Sequence, residues 1–504
     1  EAATWLPAGL WLAELSLTHR TLRFAGISGV LMGFSILAGH PQTSLYSFLI
    51  IGTYVVMRSS ANWKDVRFSL IVTFVIISIA LGLSASQWIP SIQLASMSNR
   101  MQLSYNEVSG GFGTNALIGL VRPNTEEWSP LYVGIVPIIL ALIGLYKRQR
   151  QTWYWAIICT FSLLVSLGRH GFVYPFLYSL APNAALFRGQ ERAAFLVCFA
   201  LATLAGYGYK HMATQNWMPK WLLPIFVIIA TVDLFHANYG VILQKPFELG
   251  FYPRTPAVNY INDQQGYWRI SSEALLPGGG NAGKIFHVRD VTGNGPLSLA
   301  HYHQFLGTIP EVRWWQLLNV RYVITQRQIN YPGVNLIADL THPTIYQLDL
   351  GSKPVWITHE IEIVPDQDSA FHVTSSIEWI DPYQTAVLEK IPYPKPESAI
   401  DSETAFVVKQ ESHFVEVEVN LSAPGIIILS EIDYPGWEVS ANGKTIENLR
   451  AFGLLRAVAL PSGNSTVLWK YNPRPVQIGL IISGITVCLL VLLLYKTPYI
   501  IKQY

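Results

Sequence analysis

The chain has 504 residues, 51% hydrophobic and only 13% charged, with a mean hydropathy of +0.30. Soluble domains carry roughly 25% charge, so an ordinary cytosolic enzyme is a poor fit, and a net charge of +2 opposes a nucleic-acid surface. Charge also divides the chain: 8 acids and 15 bases lie up to Asp233, whereas Lys245 to Arg474 holds 24 acids and 17 bases.

Taken in chain order, nine apolar segments approach the roughly 17 to 25 residues needed to cross a bilayer. They are 4–18, 24–39, 43–57, 68–87, 131–146, 153–168, 192–208, 221–238 and 476–495. If these spans alternate, one side collects 12 bases, including Arg20, Arg23, Arg58, Lys64, Arg67, Lys147, Arg150, Lys210 and Lys502. The other side has only Arg100, Arg122, Arg169, Arg188 and Arg192 before the large polar region. Bases concentrate in cytoplasmic loops. The expected topology therefore has a cytoplasmic C-terminus and an outward domain; that domain has no cysteine, so it reads as a bacterial-type exported domain on a plasma membrane. Residue 1 faces outward and is Glu1, with no basic signal-peptide region. The reading expects further spans upstream.

Outward loops differ in size. Ala38–Thr43 is a tight turn, 87–130 is a long polar loop, and 169–191 holds a short apolar stretch, Gly171–Leu180, bounded by Pro182. That stretch is too short to span and reads as a re-entrant or interfacial helix.

From Phe251 the pattern changes to alternation. Strands are expected near Tyr267–Ser272 and Tyr322–Gln326, with a helix near Val312–Val320. His413–Leu421 alternates Phe and Val with Glu416 and Glu418, a half-buried strand, and Gly425–Glu431 is an apolar strand. Trp437–Ser440 meets Asn442-Gly443, a strong hairpin signal. The architecture so read is a polytopic α-helical membrane protein with a large outward α/β-to-β domain, ending in a β-sandwich before the last span. Its parts are a helical domain over 1–238, a mixed α/β domain over 239–400, a β-sandwich over 401–475, and a final span with cytoplasmic tail over 476–504. Pro392, Pro394 and Pro396 mark the linker at the internal boundary.

The outward arginines run against the charge bias and are the first candidates for chemistry. Arg188 and Arg192 lie four apart in Phe187–Arg192 (FRGQER), which on a helix places both on one face. Two guanidiniums at a membrane surface suit a phosphate or pyrophosphate headgroup; the alternative is snorkelling or pairing with Glu191. Arg100, Arg122 and Glu107 share the long loop, where Glu107 is either a general base or part of a loop salt bridge. His40 and Gln42, in Gly39–Gln42 (GHPQ), are either turn-stabilising or substrate contacts.

Metal and disulfide chemistry find little support. His301 and His303 lack further ligands at metal spacing, and Cys159, Cys198 and Cys488 each sit inside an apolar run. No cofactor is required by the pattern, though the reaction class below leaves room for a divalent cation.

These motifs together resemble the YfhO-type bacterial membrane proteins, a branch of the GT-C superfamily of polyprenyl-phosphate-dependent glycosyltransferases. The resemblance runs along nearly the whole chain. It is carried by Gly39-His40-Pro41-Gln42, Gln87–Arg100 with Leu103-Ser104-Tyr105, Leu131–Val136, and Phe187-Arg188 with Arg192. It continues through Asn319–Ile324, Tyr434-Pro435-Gly436-Trp437 and Asn442-Gly443-Lys444. It implies transfer of a sugar from a polyprenyl-phosphate carrier to an envelope polymer on the outer face, with Arg188 and Arg192 on the lipid phosphate. The family's catalytic acid usually lies in the first outward loop and has no counterpart in this sequence. The alternative is a non-catalytic membrane subunit or scaffold whose outer β domain binds a partner or glycan. A transporter, which needs ionisable residues deep in the spans, has only Glu14 and Asp233 to offer.

Overall fold

The computed structural model describes residues 1–59, 63–123, 131–146, 148–180, 187–242, 252–295, 297–338, 343–376 and 381–496. Pro130, Lys147, Pro182 and Lys502 lie outside the described residues. The chain divides into two compact units. One comprises Glu1–Ser96, Arg100–Pro246 and Pro475–Tyr504; the other comprises Met97–Asn99 and Phe247–Arg474.

The first unit is helical. Among the described residues, four helices are long and apolar enough to cross a membrane: Trp63–Leu83, Gln190–Ala213, Lys220–Asn238 and Arg474–Tyr495. Leu22–Leu37 and Ile135–Tyr146 are shorter apolar helices. The other expected spans fall on Leu6–His19, Pro41–Arg58 and Arg150–Ser166, and Gly171–Leu180 contains the eight-residue helix Val173–Leu180.

The helix breaks follow from local chemistry. Arg20, at φ 54°, closes the first helix, and Thr21 opens the next by accepting a bond from Arg23 N at 3.4 Å. Gly39, at φ 79°, ends that helix; His40 then takes the N-cap position of the following one, with Pro41 in its first turn. The shorter helices carry hydroxyls that bond across to neighbouring backbones: Ser28 donates to Gly9 O at 2.8 Å, Ser35 to Ala2 O at 2.9 Å, and Tyr154 to Ile50 O at 3.0 Å. Met32, Ile51, Ile76 and Trp155 fill the core between them. Small residues bring Ile135–Tyr146 and Ala194–Ala213 into backbone contact. A Cβ at Gly208 would lie 1.8 Å from Leu140 O, and one at Gly144 would lie 2.5 Å from Leu204 O.

Both carboxylates that a transporter would need are tied to structural partners. Asp233 accepts bonds from Tyr132 OH at 2.8 Å and Ile135 N at 3.1 Å, so it closes the open end of Ile135–Tyr146. Glu14 is gripped by Arg58 at 2.6 Å and by Tyr54 OH at 3.2 Å.

The second unit is built on three sheets. The strands β1 (Arg269–Ser271), β2 (Val320–Thr325), β3 (Val334–Ala338) and β4 (Thr344–Leu348) form a mixed sheet in the order β1-β2-β4-β3. β2 is buried on both faces: Tyr322 and Ile324 pack with Val258 and Ile270, while Val320 and Val323 pack with Phe305, Trp314 and Trp315. The helix Glu311–Leu317 precedes it, as the sequence predicts.

Eleven more strands make a sandwich: β5 (Val355–Thr358), β6 (Glu360–Ile363), β7 (Thr385–Leu388), β8 (Thr404–Glu411), β9 (Phe414–Leu421), β10 (Gly425–Ile432), β11 (Trp437–Ala441), β12 (Lys444–Ile446), β13 (Leu449–Ala451), β14 (Leu455–Leu460) and β15 (Gly463–Tyr471). One sheet runs β5-β10-β14-β13-β7-β6 and the other β12-β11-β15-β9-β8. Their facing core holds Val415, Val417 and Val419 of β9, Ile427 and Leu429 of β10, and Val467 and Trp469 of β15. Glu416 and Glu418 point away from it, so β9 is the half-buried strand its Val–Glu alternation predicts, except that Phe414 falls on the glutamate face rather than with the valines. β10 is apolar from Ile426 to Leu429 because both of its faces are covered there. Ile427 and Leu429 enter the sandwich core, and Ile426 and Ile428 enter the helix-covered core with Phe371 and Trp356. Asn442 and Gly443 both have positive φ, 50° and 77°, as a two-residue hairpin between β11 and β12 requires. The six-stranded sheet takes β5, β6 and β7 from before the proline stretch, so it spans the position expected to be a linker.

Candidate functional site

The predicted site residues all lie in the helical unit. The turn at His40 supplies one wall. The His40 Nδ1 atom lies 2.8 Å from Thr43 Oγ1, and its Nε2 lies 2.9 Å from Arg192 Nη1. A guanidinium has only donors, so Nε2 must accept, and the ring proton sits on Nδ1, which donates to the threonine hydroxyl and is therefore not an acceptor for Thr43 N at 3.3 Å. Burial, then the Arg192 charge, lowers the His40 pKa. Neutral His40 is therefore the form that fits. The two readings of this residue coexist: Nδ1 braces the turn while Nε2 orients an arginine.

Arg192 stands on the one-turn 3-10 segment Gln190–Ala193, and Arg188 precedes it across Gly189. Gly189 has φ 75°, a left-handed conformation where a Cβ would lie 2.6 Å from Glu191 Oε1. The two arginines are thus not stacked on one helix face, which corrects the spacing argument; the glycine turn intervenes. They are nonetheless brought near a third cation. Burial first, and then Arg188 and Arg192, depress the Arg100 pKa, so the three positive charges share one region. Among the described residues, no carboxylate lies within salt-bridge distance of Arg188 or Arg192, Glu191 included.

A buried polar relay fixes this turn. Gln190, 2% exposed, donates from its backbone to Gly110 O at 2.9 Å and from its side chain to Phe187 O at 3.0 Å. Its Oε1 accepts from Tyr46 OH at 3.4 Å, and Tyr46 accepts from Gln42 Nε2 at 3.0 Å. Gln42 is itself 2% exposed, so it reaches the arginine turn through Tyr46. The Gly110 strip is latched in turn to the end of Arg150–Ser166: Arg169 N donates to Ser109 O at 2.8 Å and Phe112 N to Ser166 O at 2.9 Å. Tyr46 and Gln190 escape a sequence reading, because a buried polar relay leaves no local pattern; the glutamine between two arginines is the nearest signal.

Glu107 and Arg122 are placed differently. The Glu107 carboxylate accepts from Ser104 N and Ser104 Oγ, both at 2.7 Å, and closes the capping box of the short helix Tyr105–Val108. Those two bonds hold its pKa below the ordinary carboxylate value. That geometry favours a loop-bracing role over a base. Arg122 is exposed at the end of the 3-10 segment Thr114–Leu120, its backbone N bonded to Ile118 O at 2.9 Å. Among the described residues, no hydrogen bond or ion pair joins it to the other arginines.

Arg192, bonded to a neutral imidazole, and Arg188, neither within salt-bridge distance of a carboxylate among the described residues, present guanidinium donors of the kind that grip anions. Among the described residues, no group of three His, Cys, Asp or Glu side chains could hold a metal ion.

No family profile and no curated protein sequence matches the chain. Among solved structures, the arabinofuranosyltransferase AftD from mycobacteria is similar at 9% identity and a TM-score of 0.39, over 94% of this chain and 47% of the other. A mutant of that enzyme, in one class, matches at 10% identity and a TM-score of 0.39 over 94% and 48%. The chain spans about half the length of these structures.

Proposed function

We propose that the chain is a membrane glycosyltransferase of the GT-C type, or a portion of one, using a polyprenyl-phosphate-linked sugar and an envelope polymer acceptor on the outer face. The observation that carries this reading is the convergence of Arg100, Arg188 and Arg192 at the end of a span, with His40 holding Arg192 in place. In an inverting transfer the acceptor hydroxyl forms a new bond to the anomeric carbon as the bond to the carrier phosphate breaks, and the hydroxyl proton passes to the departing phosphate or to solvent. Negative charge then grows on the departing phosphate, and preorganised guanidiniums stabilise that charge. The motifs that resemble YfhO-type proteins, from Gly39–Gln42 to Arg192, include the residues of this proposed phosphate site, which supports the reading.

The test is donor binding by the full chain in lipid nanodiscs, with a fluorescent polyprenyl-phosphate hexose as probe. The expected result is saturable binding that is lost in Arg188→Gln/Arg192→Gln and competed by polyprenyl phosphate. Binding unchanged by the double substitution would overturn the reading.

A further inference from the structure

The β-rich unit contains its own cleft, of about 880 Å3, remote in sequence from the arginine turn. That volume falls within the range of about 300–1,000 Å3 typical of ligand sites. Its lining includes four cations, Arg269, Lys284, Arg289 and Arg456, against two carboxylates, Asp290 and Glu431.

Arg456 is the unusual member. It is 4% exposed, and its Nε donates to Ile432 O at 3.0 Å, yet its Nη1 is buried with no hydrogen-bond partner among the described residues. A buried guanidinium nitrogen left unbonded is costly, and native structures rarely tolerate it without a purpose. The nearest carboxylates are otherwise engaged. Glu431 takes Arg269 Nη2 and Gln410 Nε2, both at 2.6 Å, and Asp433 takes Asn448 Nδ2 at 2.8 Å.

The backbone aims this residue. Pairing of β10 with β14 jumps from Leu429↔Arg456 to Ile432↔Leu455, so Ser430 and Glu431 bulge out of the ladder into the cleft wall. Aromatic rings surround the cation. The Arg456 Cζ atom lies 3.6 Å from the centroid of the Trp437 ring, and Trp437 packs against Tyr471 at 5.2 Å. Gly436, at φ 106°, turns the chain so that Trp437 reaches that place; a Cβ there would lie 3.0 Å from the Tyr471 ring.

Partly exposed aromatic faces with hydroxyl and amide groups suit a saccharide, and a half-satisfied, stacked guanidinium suits a carboxylate or phosphate. We propose that this cleft binds an anionic glycan, its acidic group seated on the free Nη1 of Arg456 and its sugar ring against Trp437 and Tyr434. Lys284 and Arg289, both exposed at the rim, draw the anion in. The proposal goes beyond the transferase reading and does not rest on it.

The experiment is isothermal titration of the full chain in nanodiscs with trigalacturonate, a glycerol-phosphate oligomer and neutral maltotriose. At least one anionic probe is expected to bind about tenfold or more tighter than maltotriose, the ratio that a charged hydrogen bond provides. Raising salt should narrow the gap. Lys284→Gln/Arg289→Gln, at exposed positions, should cut most of that advantage with an unchanged melting temperature. Arg456→Lys, which keeps the charge and loses the fork, should weaken the preferred probe by about tenfold. Preference for the galacturonate indicates a uronic-acid ligand and preference for the phosphodiester a phosphorylated one; either supports the proposal. Equal affinity for neutral and anionic probes, no binding of any probe, or anionic affinity untouched by both sets of substitutions would overturn it.

Discussion

His40 accepts a hydrogen bond from the Arg192 guanidinium at 2.9 Å across 152 positions of sequence, and it does so as a neutral ring. A histidine that donates to Thr43 Oγ1 with one nitrogen and orients an arginine with the other couples the turn after Leu22–Leu37 to the entrance of Ala194–Ala213.

The first prediction concerns that pair under acid. Burial and Arg192 depress the His40 pKa below its ordinary value of 6.5, so the unfolded chain takes up this proton at a higher pH than the folded one. Stability from neutral His40 is therefore full above about 6.5 and is lost as pH falls through the folded value. Between pH 7.5 and 5 the wild-type melting temperature should fall relative to that of His40→Asn, which keeps a polar side chain at the N-cap position. Parallel curves for the two proteins would defeat the assignment.

Replacing Arg192 with lysine retains the charge but removes the fork. Donor affinity in nanodiscs should drop by about tenfold, the cost of one charge-assisted hydrogen bond. Removing both Arg188 and Arg192 should cost more than either alone. An Arg192→Lys protein with wild-type affinity would mean that the headgroup is read by charge alone.

Glu107 offers a discrimination between brace and base. Loss of a general base lowers turnover by about 10²–10⁴-fold. Glu107→Gln should fall well short of that and should instead lower the melting temperature, since the capping box loses its charged partner. A collapse of turnover at unchanged donor affinity would restore the base.

Gly208→Ala tests the helix crossing. Its Cβ has nowhere to go beside the Leu140 carbonyl, and overpacking of this kind costs about 1–3 kcal/mol. The effect should appear as a lower melting temperature in detergent, partly recovered by no single change on the other helix, because the obstacle is backbone.

Trp469→Ala should be harsher. The ring is fully buried between the sheets, with its Nε1 donating to Asn448 at 3.2 Å. Truncating such a side chain costs about 3–5 kcal/mol, measurable as lost near-ultraviolet dichroism at a lower temperature. A shift of a degree or less would show that the sandwich core is not the limiting element of that unit.

Much of this fold is legible in short windows. The Val–Glu alternation of 413–421 and the Asn442-Gly443 turn each specify local geometry through period and φ, and the structure follows them. The arginines are legible as exceptions to the charge bias. What escapes is whatever depends on distant partners. β5 and β7 join the sheet of β10 and β13 across the proline stretch, and no local pattern announces that pairing. The helix-face argument for Arg188 and Arg192 fails for a similar reason: the glycine between them adopts a conformation that spacing alone does not reveal. Arg456 goes unnoticed because its neighbours read as an ordinary strand.

The six-stranded sheet, covered on both faces and assembled from strands on either side of the prolines, also constrains how the protein is made. β5 leaves the ribosome long before β10, its hydrogen-bonding neighbour, has been synthesised. Until then β5 presents an unpaired apolar edge, the kind of surface on which strange chains pair and aggregate. Val355 and Trp356, both buried in the finished sheet, lack that cover through the interval. A chain ending at residue 400 would keep β5 in that state permanently, because its partner β10 lies beyond the cut.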